Sequence, residues 1–371
     1  MKRNMDGGTA AEISLARAAE NYSRVKRRAG GRVCCVIKAN AYGHGATVLG
    51  HLYQELGADC LAVATPEEAM RLRKRGIHCP ILLLGYAPPA FAEEAVRENI
   101  TLTVYDREQA EALAAGMRGC RAEVPVHVKL DTGMGRLGFR PKSDARDLIA
   151  VCRLSGLRVT GVYTHFANAD AGEEGNNATQ EQLRKFRFGA KLAQEAVGRP
   201  LLRHAANSGG LLDYPEARFD MVRAGIVLYG ILPGTVSHPI PLAPVMTLRA
   251  PVISVKEVPA GTPLGYGGAY VTSRATRVGI IPLGYADGLP RAAGEAGVLM
   301  RIGNGYAPIV GRVCMDQALL DLTDTEARMG DDAFLFGDDP KVSAAACARS
   351  LGTIPYELLT GIGERVRRVY R

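Results

Sequence analysis

Long apolar runs are missing from this sequence: nowhere in its 371 residues is there anything near the roughly 18 consecutive apolar residues that a membrane helix needs. The opening segment MKRNMDGGTAAEISL also lacks the apolar core of a secretory signal. These absences lead us to expect a cytoplasmic protein with no membrane partner. No CxxC pair occurs. The 8 cysteines are scattered, with only Cys34 and Cys35 adjacent, so neither a metal site nor a disulfide framework is indicated and they read mainly as reduced core residues. No GxGxxG follows an apolar run and no GxxxxGK[ST] is present, which removes the fingerprints of a Rossmann enzyme and of a P-loop NTPase.

Charge is present in excess of one sign. The formal net charge of +8 arises partly from basic clusters at Arg24 to Arg28, Arg71 to Arg75 and Arg365 to Arg371. Leu15, Ala18, Ala19, Tyr22 and Val25 recur at helical spacing, which leaves the first cluster on a solvated helix face, and the second reads the same way. Nucleic acid is therefore not the expected partner. A mild positive field suits a small anionic cofactor instead.

A chain of this length exceeds what one core normally serves. Apolar, β-branched runs separated by helix-like segments occur at Arg32–Lys38, Cys60–Ala64, Ile81–Leu84, Ile100–Val104, Val124–Leu130, Val159–Thr164, Leu201–His204 and Asp220–Arg223. The run at Leu201–His204 is the faintest. Eight strand–helix units over about 230 residues imply an α/β fold, an N-terminal (β/α)8 TIM-type barrel rather than an open sheet. From Gly230 the texture changes: prolines at 233, 239, 241 and 244 break any helix, and short runs follow at Pro251–Val258, Thr276–Pro282, Tyr306–Val313 and Asp332–Phe336. The expectation is a barrel domain over 1–235 and a mostly β domain over 236–371.

If the barrel is right, the C-terminal ends of its strands carry the active site. Lys38 ends the first run, Lys129 lies near the end of the fifth, His165 follows the sixth and Arg223 ends the eighth. Four strongly basic groups at one mouth would repel one another without an anion among them. Lys38 closes VCCVIK with its stem in apolar surroundings, where desolvation lowers an amine's pKa and frees it to form a Schiff base with a carbonyl. On spacing alone, a snorkelling lysine at a strand end fits equally well.

The wording VCCVIKANAYGHG is more specific. It resembles the pyridoxal-phosphate lysine motif of the alanine racemase family, and the resemblance continues through KLDTGMGRLG (129–138), THFANAD (164–170), HAANSG (204–209), MVRAGIVLYG (221–230), LGYGG (264–268), IPLGYADGLPR (281–291) and GRVCMD (311–316). The resemblance implies a barrel followed by a β domain that the first residues of the chain also join. It implies pyridoxal 5'-phosphate carried on Lys38, with Tyr42, Asn207, Ser208, Gly225, Ile226 and Tyr356 around the phosphate and Arg223 facing the pyridine nitrogen. Because arginine keeps its proton, the ring stays neutral and is a weaker electron sink.

By the same resemblance, Lys38 serves one face of the substrate's Cα and Tyr266 the other. An unperturbed tyrosine has a pKa of about 10 and is a poor base at neutral pH, so the family pattern sets His165 and Arg223 beside it. Tyr266 lies about 230 residues from Lys38, in the second domain, and the resemblance implies that a partner in a homodimer supplies it. Arg136 would hold the substrate carboxylate. Lys129 would be carbamylated to N6-carboxylysine to orient that arginine, the plainer reading being a pair with Asp131. Met315 would add a backbone contact with Asp316 close by, and Tyr285 and Tyr356 would narrow the entrance.

Two departures stand out: Ala224 replaces the proline usual after the arginine, and TAAEISL lacks the tryptophan common at its third position. The implied activity is the interconversion of L- and D-alanine, supplying D-alanine for bacterial cell wall, and Tyr356 favours alanine over serine. The alternatives are a serine or broad-specificity racemase on the same scaffold, a non-catalytic PLP-binding protein, which Tyr266 and the region after residue 235 count against, and a fold-related basic amino-acid decarboxylase, whose usual motifs are missing.

Overall fold

A computed structural model describes residues 8–371. The chain forms two compact units. One comprises the segments up to Ala18, Tyr42–Gly45 and Ala243–Arg371; the other comprises Ala19–Ala41 and Ala46–Leu242.

After strand β1 (Ala10–Ile13) come β2 (Arg32–Val36), β3 (Cys60–Val63), β4 (Ile81–Leu83), β5 (Ile100–Val104), β6 (Val124–Lys129), β7 (Leu157–Tyr163), β8 (Leu202–His204) and β9 (Met221–Ala224). Strands β2 to β9 form one sheet in the order β8-β7-β6-β5-β4-β3-β2-β9 with parallel pairing throughout. The seam between β8 and β9 is bridged by Asp220 N–H to Arg203 O (3.1 Å) and Arg223 N–H to Ala206 O (3.0 Å), so the barrel is nearly closed. The expected (β/α)8 architecture is observed, including its faintest strand.

These strands form where the sequence is continuously apolar because a parallel sheet covered by helices is buried on both faces. Val33, Cys34, Cys35 and Val36 of β2 and all of β3 and β4 are buried. The intervening helices begin at oxygen caps: Thr65 accepts from Glu68 N–H ahead of Pro66–Lys74, and Asp106 accepts from Gln109 N–H (2.8 Å) ahead of Arg107–Ala115. Helix Leu15–Ala29 buries Ala18, Tyr22, Val25 and Ala29, on the face its spacing gives. The second basic cluster is only partly a solvated face. Arg73 turns inward, donating to the carbonyls of Glu98 (2.7 Å), Ile77 (2.8 Å), Cys79 (2.9 Å) and Asn99 (3.0 Å).

The other unit contains β10 (Met246–Pro251), β11 (Ser254–Val258), β12 (Pro263–Leu264), β13 (Tyr270–Val271), β14 (Thr276–Ile281), β15 (Leu299–Ile302), β16 (Gly305–Val310), β17 (Ala318–Asp321), β18 (Asp332–Phe336) and β19 (Arg367–Tyr370). Nine strands form a sheet in the order β11-β14-β17-β16-β15-β18-β10-β1-β19, and β12 and β13 form a separate ribbon. The N-terminal β1 pairs antiparallel with β10 and parallel with β19. The run expected at Pro251–Val258 is a strand only from Ser254, as β11, and its first residue, Pro251, ends β10. Helices Ala344–Leu351 and Pro355–Gly361 complete the mostly β unit, in a stretch for which the sequence predicts no element. Arg368 of the last basic cluster is structural, donating to Gly43 O (2.9 Å), Val366 O (2.8 Å) and Ile362 O (2.6 Å). No helix among the described residues is long and apolar enough to cross a membrane.

Candidate active site

The C-terminal ends of the barrel strands bring together most of the residues singled out in the sequence. Residues two apart on a strand share a face. His127 and Lys129 of β6 therefore project together, as do Tyr163 and His165 at the end of β7, and they meet His204 of β8 and Arg223 of β9. Arg223 is buried and tightly held: Nη1 donates to His204 Nδ1 and His204 O (both 3.0 Å), and Nη2 donates to Thr164 O (2.6 Å), Ala205 O (3.1 Å) and His165 Nδ1 (3.4 Å). Its Nε–H has no partner among the described residues. Since Arg223 occupies His204 Nδ1, the His204 proton sits on Nε2, from which it is donated to His127 Nδ1 (3.0 Å). Gly161 makes room for this chain, as a Cβ there would lie 2.6 Å from His127 Cδ2.

The Tyr163 ring stacks on His204 with centroids 4.8 Å apart. The same ring lies 5.1 Å from the Arg223 guanidinium and 5.8 Å from Lys129 Nζ. Burial, reinforced by Arg136 and Arg223, lowers the Lys129 pKa to about 8, against a weaker pull from Asp131. No Lys129–Asp131 ion pair forms. Asp131 Oδ1 instead accepts from the N–H groups of Gly133 (3.0 Å), Met134 (3.0 Å) and Gly135 (3.1 Å), shaping the loop that carries Arg136. Burial and then Arg136 lower the Lys38 pKa, while Glu68 opposes them.

His165 differs from its expected character. Burial, then Arg223, Arg136, Lys129 and Lys38, hold its pKa well below the ordinary histidine value, so it is a neutral imidazole rather than a strongly basic group. The charge at the mouth belongs to Lys38, Lys129, Arg136 and Arg223. Among the described residues, Lys38, Lys129 and Arg136 form no ion pair, and no group of three His, Cys, Asp or Glu residues is placed to hold a metal.

Lys38 lies beyond the end of β2, where it opens a left-handed turn. Ala39, Asn40, Ala41 and Tyr42 have φ of 51°, 53°, 55° and 51°. Such backbone costs an L-residue roughly 1–2 kcal/mol, so its surroundings must enforce it. Gly43 ends the turn at φ 81°, where a Cβ would lie 2.1 Å from Leu359 O. That requirement accounts for the first glycine of AYGHG.

Further along the barrel, Asn207 caps the short helix Ser208–Asp213, its Oδ1 accepting from Gly210 N–H (2.9 Å). Ser208 Oγ accepts from Gly225 N–H (3.1 Å) just ahead of the turn Ile226–Tyr229. In the β-rich unit, the Tyr42 and Tyr356 rings lie 6.0 Å apart, and burial pushes the Tyr42 hydroxyl up to about 12. Tyr266, Tyr285 and Met315 are all exposed there. Tyr285 N–H donates to Cys314 O and Ala286 N–H to Met315 O, both at 3.0 Å. Arg365 braces the same loops through Asp287 (3.3 Å) and Asp316 (2.7 Å).

Residues 13–233 match the alanine racemase N-terminal domain, and residues 245–370 match the alanine racemase C-terminal domain. The chain belongs to the alanine racemase family. An alanine racemase of Desulfovibrio desulfuricans is 43% identical over 97% of both chains. The structure of alanine racemase from Bacillus anthracis with bound L-Ala-P superposes with a TM-score of 0.91 at 32% identity, covering all of this chain and 96% of that one. Histidine racemase from Leuconostoc mesenteroides superposes over the whole of both chains with a TM-score of 0.88 at 28% identity.

Alanine racemase family members are generally PLP-dependent. Several residues that organise this member's site have no role legible in the sequence, namely Tyr163, His204 and His127 behind Arg223 and Glu68 beside Lys38, while Asp131, expected as the partner of Lys129, shapes the Arg136 loop instead. One signal was available. His127 and Tyr163 each stand two positions before a residue already singled out, on the same inward face of a barrel strand.

Proposed function

We propose that the chain interconverts L- and D-alanine with pyridoxal 5'-phosphate on Lys38, working as a homodimer. The observation that carries this is the set of basic groups gathered at the barrel mouth without paired carboxylates, with the Lys129 pKa lowered to about 8. Like charges gathered in a partly desolvated site call for anions, and a phosphate and an amino-acid carboxylate meet that need. The residues present fit the cofactor. The Ser208 hydroxyl accepts from Gly225 N–H and retains its own hydrogen for a phosphate oxygen, beside Asn207 and Ile226. The unpartnered Arg223 Nε–H is the donor for the ring nitrogen. We assign Tyr42 and Tyr356 to the phosphate as further hydroxyl donors.

When bound, the cofactor supplies an aldehyde for the substrate amine and a ring that takes up charge developing at Cα. Lys38 then takes or returns the Cα proton at Nζ on one face, its lowered pKa keeping a free amine accessible. Tyr266, supplied by the second copy, does the same at its hydroxyl on the other face. Arg136 forks onto the substrate carboxylate, with Met315 and Tyr285 as further substrate contacts. His165, neutral, accepts from Arg223 at Nδ1 and keeps its own proton on Nε2. D-Alanine as the product fits a role in cell-wall supply.

Carbamylated Lys129 would place a negative charge beside Arg136. Carbon dioxide adds only to a free amine, and a pKa of about 8 makes that amine increasingly available from about pH 7 to pH 9. With 13C-bicarbonate, a carbamate signal is expected to grow over that range and to vanish in Lys129→Arg. A signal absent at every pH would count against the modification.

The relationship to a histidine racemase keeps a second reading in view, a different amino acid on the same scaffold. The PLP-loaded protein given L-alanine, L-serine and L-histidine separately decides between them. Fastest appearance of D-alanine is expected; preferential racemisation of either other substrate would replace alanine in the proposal.

A further inference from the structure

We propose that Glu68 is a positioning residue for Lys38, its carboxylate fixing the left-handed turn from which the lysine amine is presented. The inference rests on the reading of Lys38 as the acting amine. One Glu68 oxygen accepts from Ala39 N–H at 2.6 Å, the peptide immediately after Lys38, and the other accepts from Ala64 N–H at 2.7 Å, just past the end of β3. Strands β2 and β3 are parallel neighbours, with Val36 opposite Ala62. A single carboxylate thus braces the chain where it leaves both strands.

The turn needs such a brace. Its four consecutive non-glycine residues at positive φ are also tied by Ala41 N–H to Ile37 O (2.8 Å), by Asn40 Oδ1, which accepts from Ala46 N–H (2.9 Å), and by Tyr42 O, which accepts from His44 Nδ1 (2.8 Å). These ties lie further along the turn, and the Ala39 peptide, closest to the amine, is held by Glu68. Glu68 is itself anchored, since its N–H donates to the capping Thr65 Oγ1 at 3.3 Å in the first turn of helix Pro66–Lys74. A capping glutamate normally reaches back to the cap residue's own amide. Here it reaches one residue further and across to the lysine turn, which points to a task beyond helix capping.

The carboxylate chemistry matters as well. Each N–H donor is met by its own oxygen of the carboxylate, whereas glutamine in the same place offers one oxygen and an NH2 group that cannot accept. Glu68→Gln, nearly isosteric, therefore loses one tie, and Glu68→Ala loses both.

The experiment compares Glu68→Gln, Glu68→Ala and Lys38→Ala with the unaltered full-length protein, measuring kcat and KM for alanine and backbone amide exchange. A misplaced amine is expected to lower kcat about 100-fold in Glu68→Ala and about 10-fold in Glu68→Gln, with KM held within about threefold because Arg136 on a separate loop still binds the carboxylate. In the cofactor-free protein, exchange at Ala39 is expected to quicken about tenfold or more in Glu68→Ala while the barrel strands keep their protection. Unchanged kcat in both Glu68 variants would overturn the proposal. So would a loss of kcat accompanied by faster exchange across all the barrel strands, which would make Glu68 a general stabilising residue. An active Lys38→Ala would instead overturn the reading of Lys38 on which the inference rests, and an inactive Lys38→Ala beside fully active Glu68 variants would remove only the role of Glu68.

Discussion

Lys38→Ala is expected to lower alanine racemisation by about 10⁴-fold or more, because it removes the residue proposed as both covalent anchor of the cofactor and proton carrier. The protein should fold as before. Lys38 makes no ion pair among the described residues, and its ammonium is opposed by burial and by Arg136, so the truncation removes an unfavourable charge. The melting temperature of the cofactor-free variant should equal or exceed that of the unaltered protein. Reduction of the PLP-loaded protein with borohydride, followed by peptide mass analysis, should find the cofactor fixed on Lys38 and nowhere in the variant. A variant that keeps its activity, or a cofactor fixed on another lysine, would remove the centre of the account.

Tyr266→Phe is the second large effect. Loss of a positioned proton carrier is expected to cost about 10²–10⁴-fold in rate. Its cost to the stability of the single chain should be negligible, because within that chain the side chain is 66% exposed and surface changes of this kind usually stay within about 0.5 kcal/mol. L- and D-alanine are equal in free energy, so kcat/KM must fall equally in both directions and cannot by itself show which face was damaged. Isotopes can. The enantiomer whose proton Tyr266 removes should show a larger Cα-deuterium effect in the variant. The enantiomer served by Lys38 should lose its Cα hydrogen to solvent faster than it inverts, because the deprotonated Cα can still be reprotonated from the Lys38 side. Small effects that are the same for both enantiomers would reduce Tyr266 to a packing residue.

How much of this was legible in the sequence depended on how local the determining physics is. Buried parallel strands are written as unbroken apolar runs, and even the three-residue β8 left a trace. Strands β15 and β17, four residues each, are too short for their alternation to stand out, and β1 and β19 are defined by pairing with each other from opposite ends of the chain. The placement of Lys129 and Arg223 near the C-terminal ends of barrel strands could be read directly. Charge states at the mouth could not: His165 looks basic in isolation and is neutral because burial and four cations surround it. The pairing of Lys129 with Asp131 was a reasonable local reading, but three amides of the following loop claim that carboxylate.

The least legible features join residues far apart in sequence. Arg73 belongs to a cluster that reads as solvated charge and Arg368 to a basic run at 365–371, yet each gathers several backbone carbonyls. The tie between Glu68 and Ala39 spans 29 residues. TPEE carries a capping signal, but only the fold shows that the carboxylate also reaches the turn after Lys38.

Incubation of the PLP-loaded protein with L-alanine in deuterated water, following enantiomer ratio and Cα deuterium together, is the most direct measurement of the central claim. D-Alanine carrying deuterium at Cα is expected, formed faster than D-serine is formed from L-serine. Exchange without inversion would contradict the pairing of Lys38 with Tyr266 as the two proton carriers, and the absence of any exchange would contradict racemisation itself.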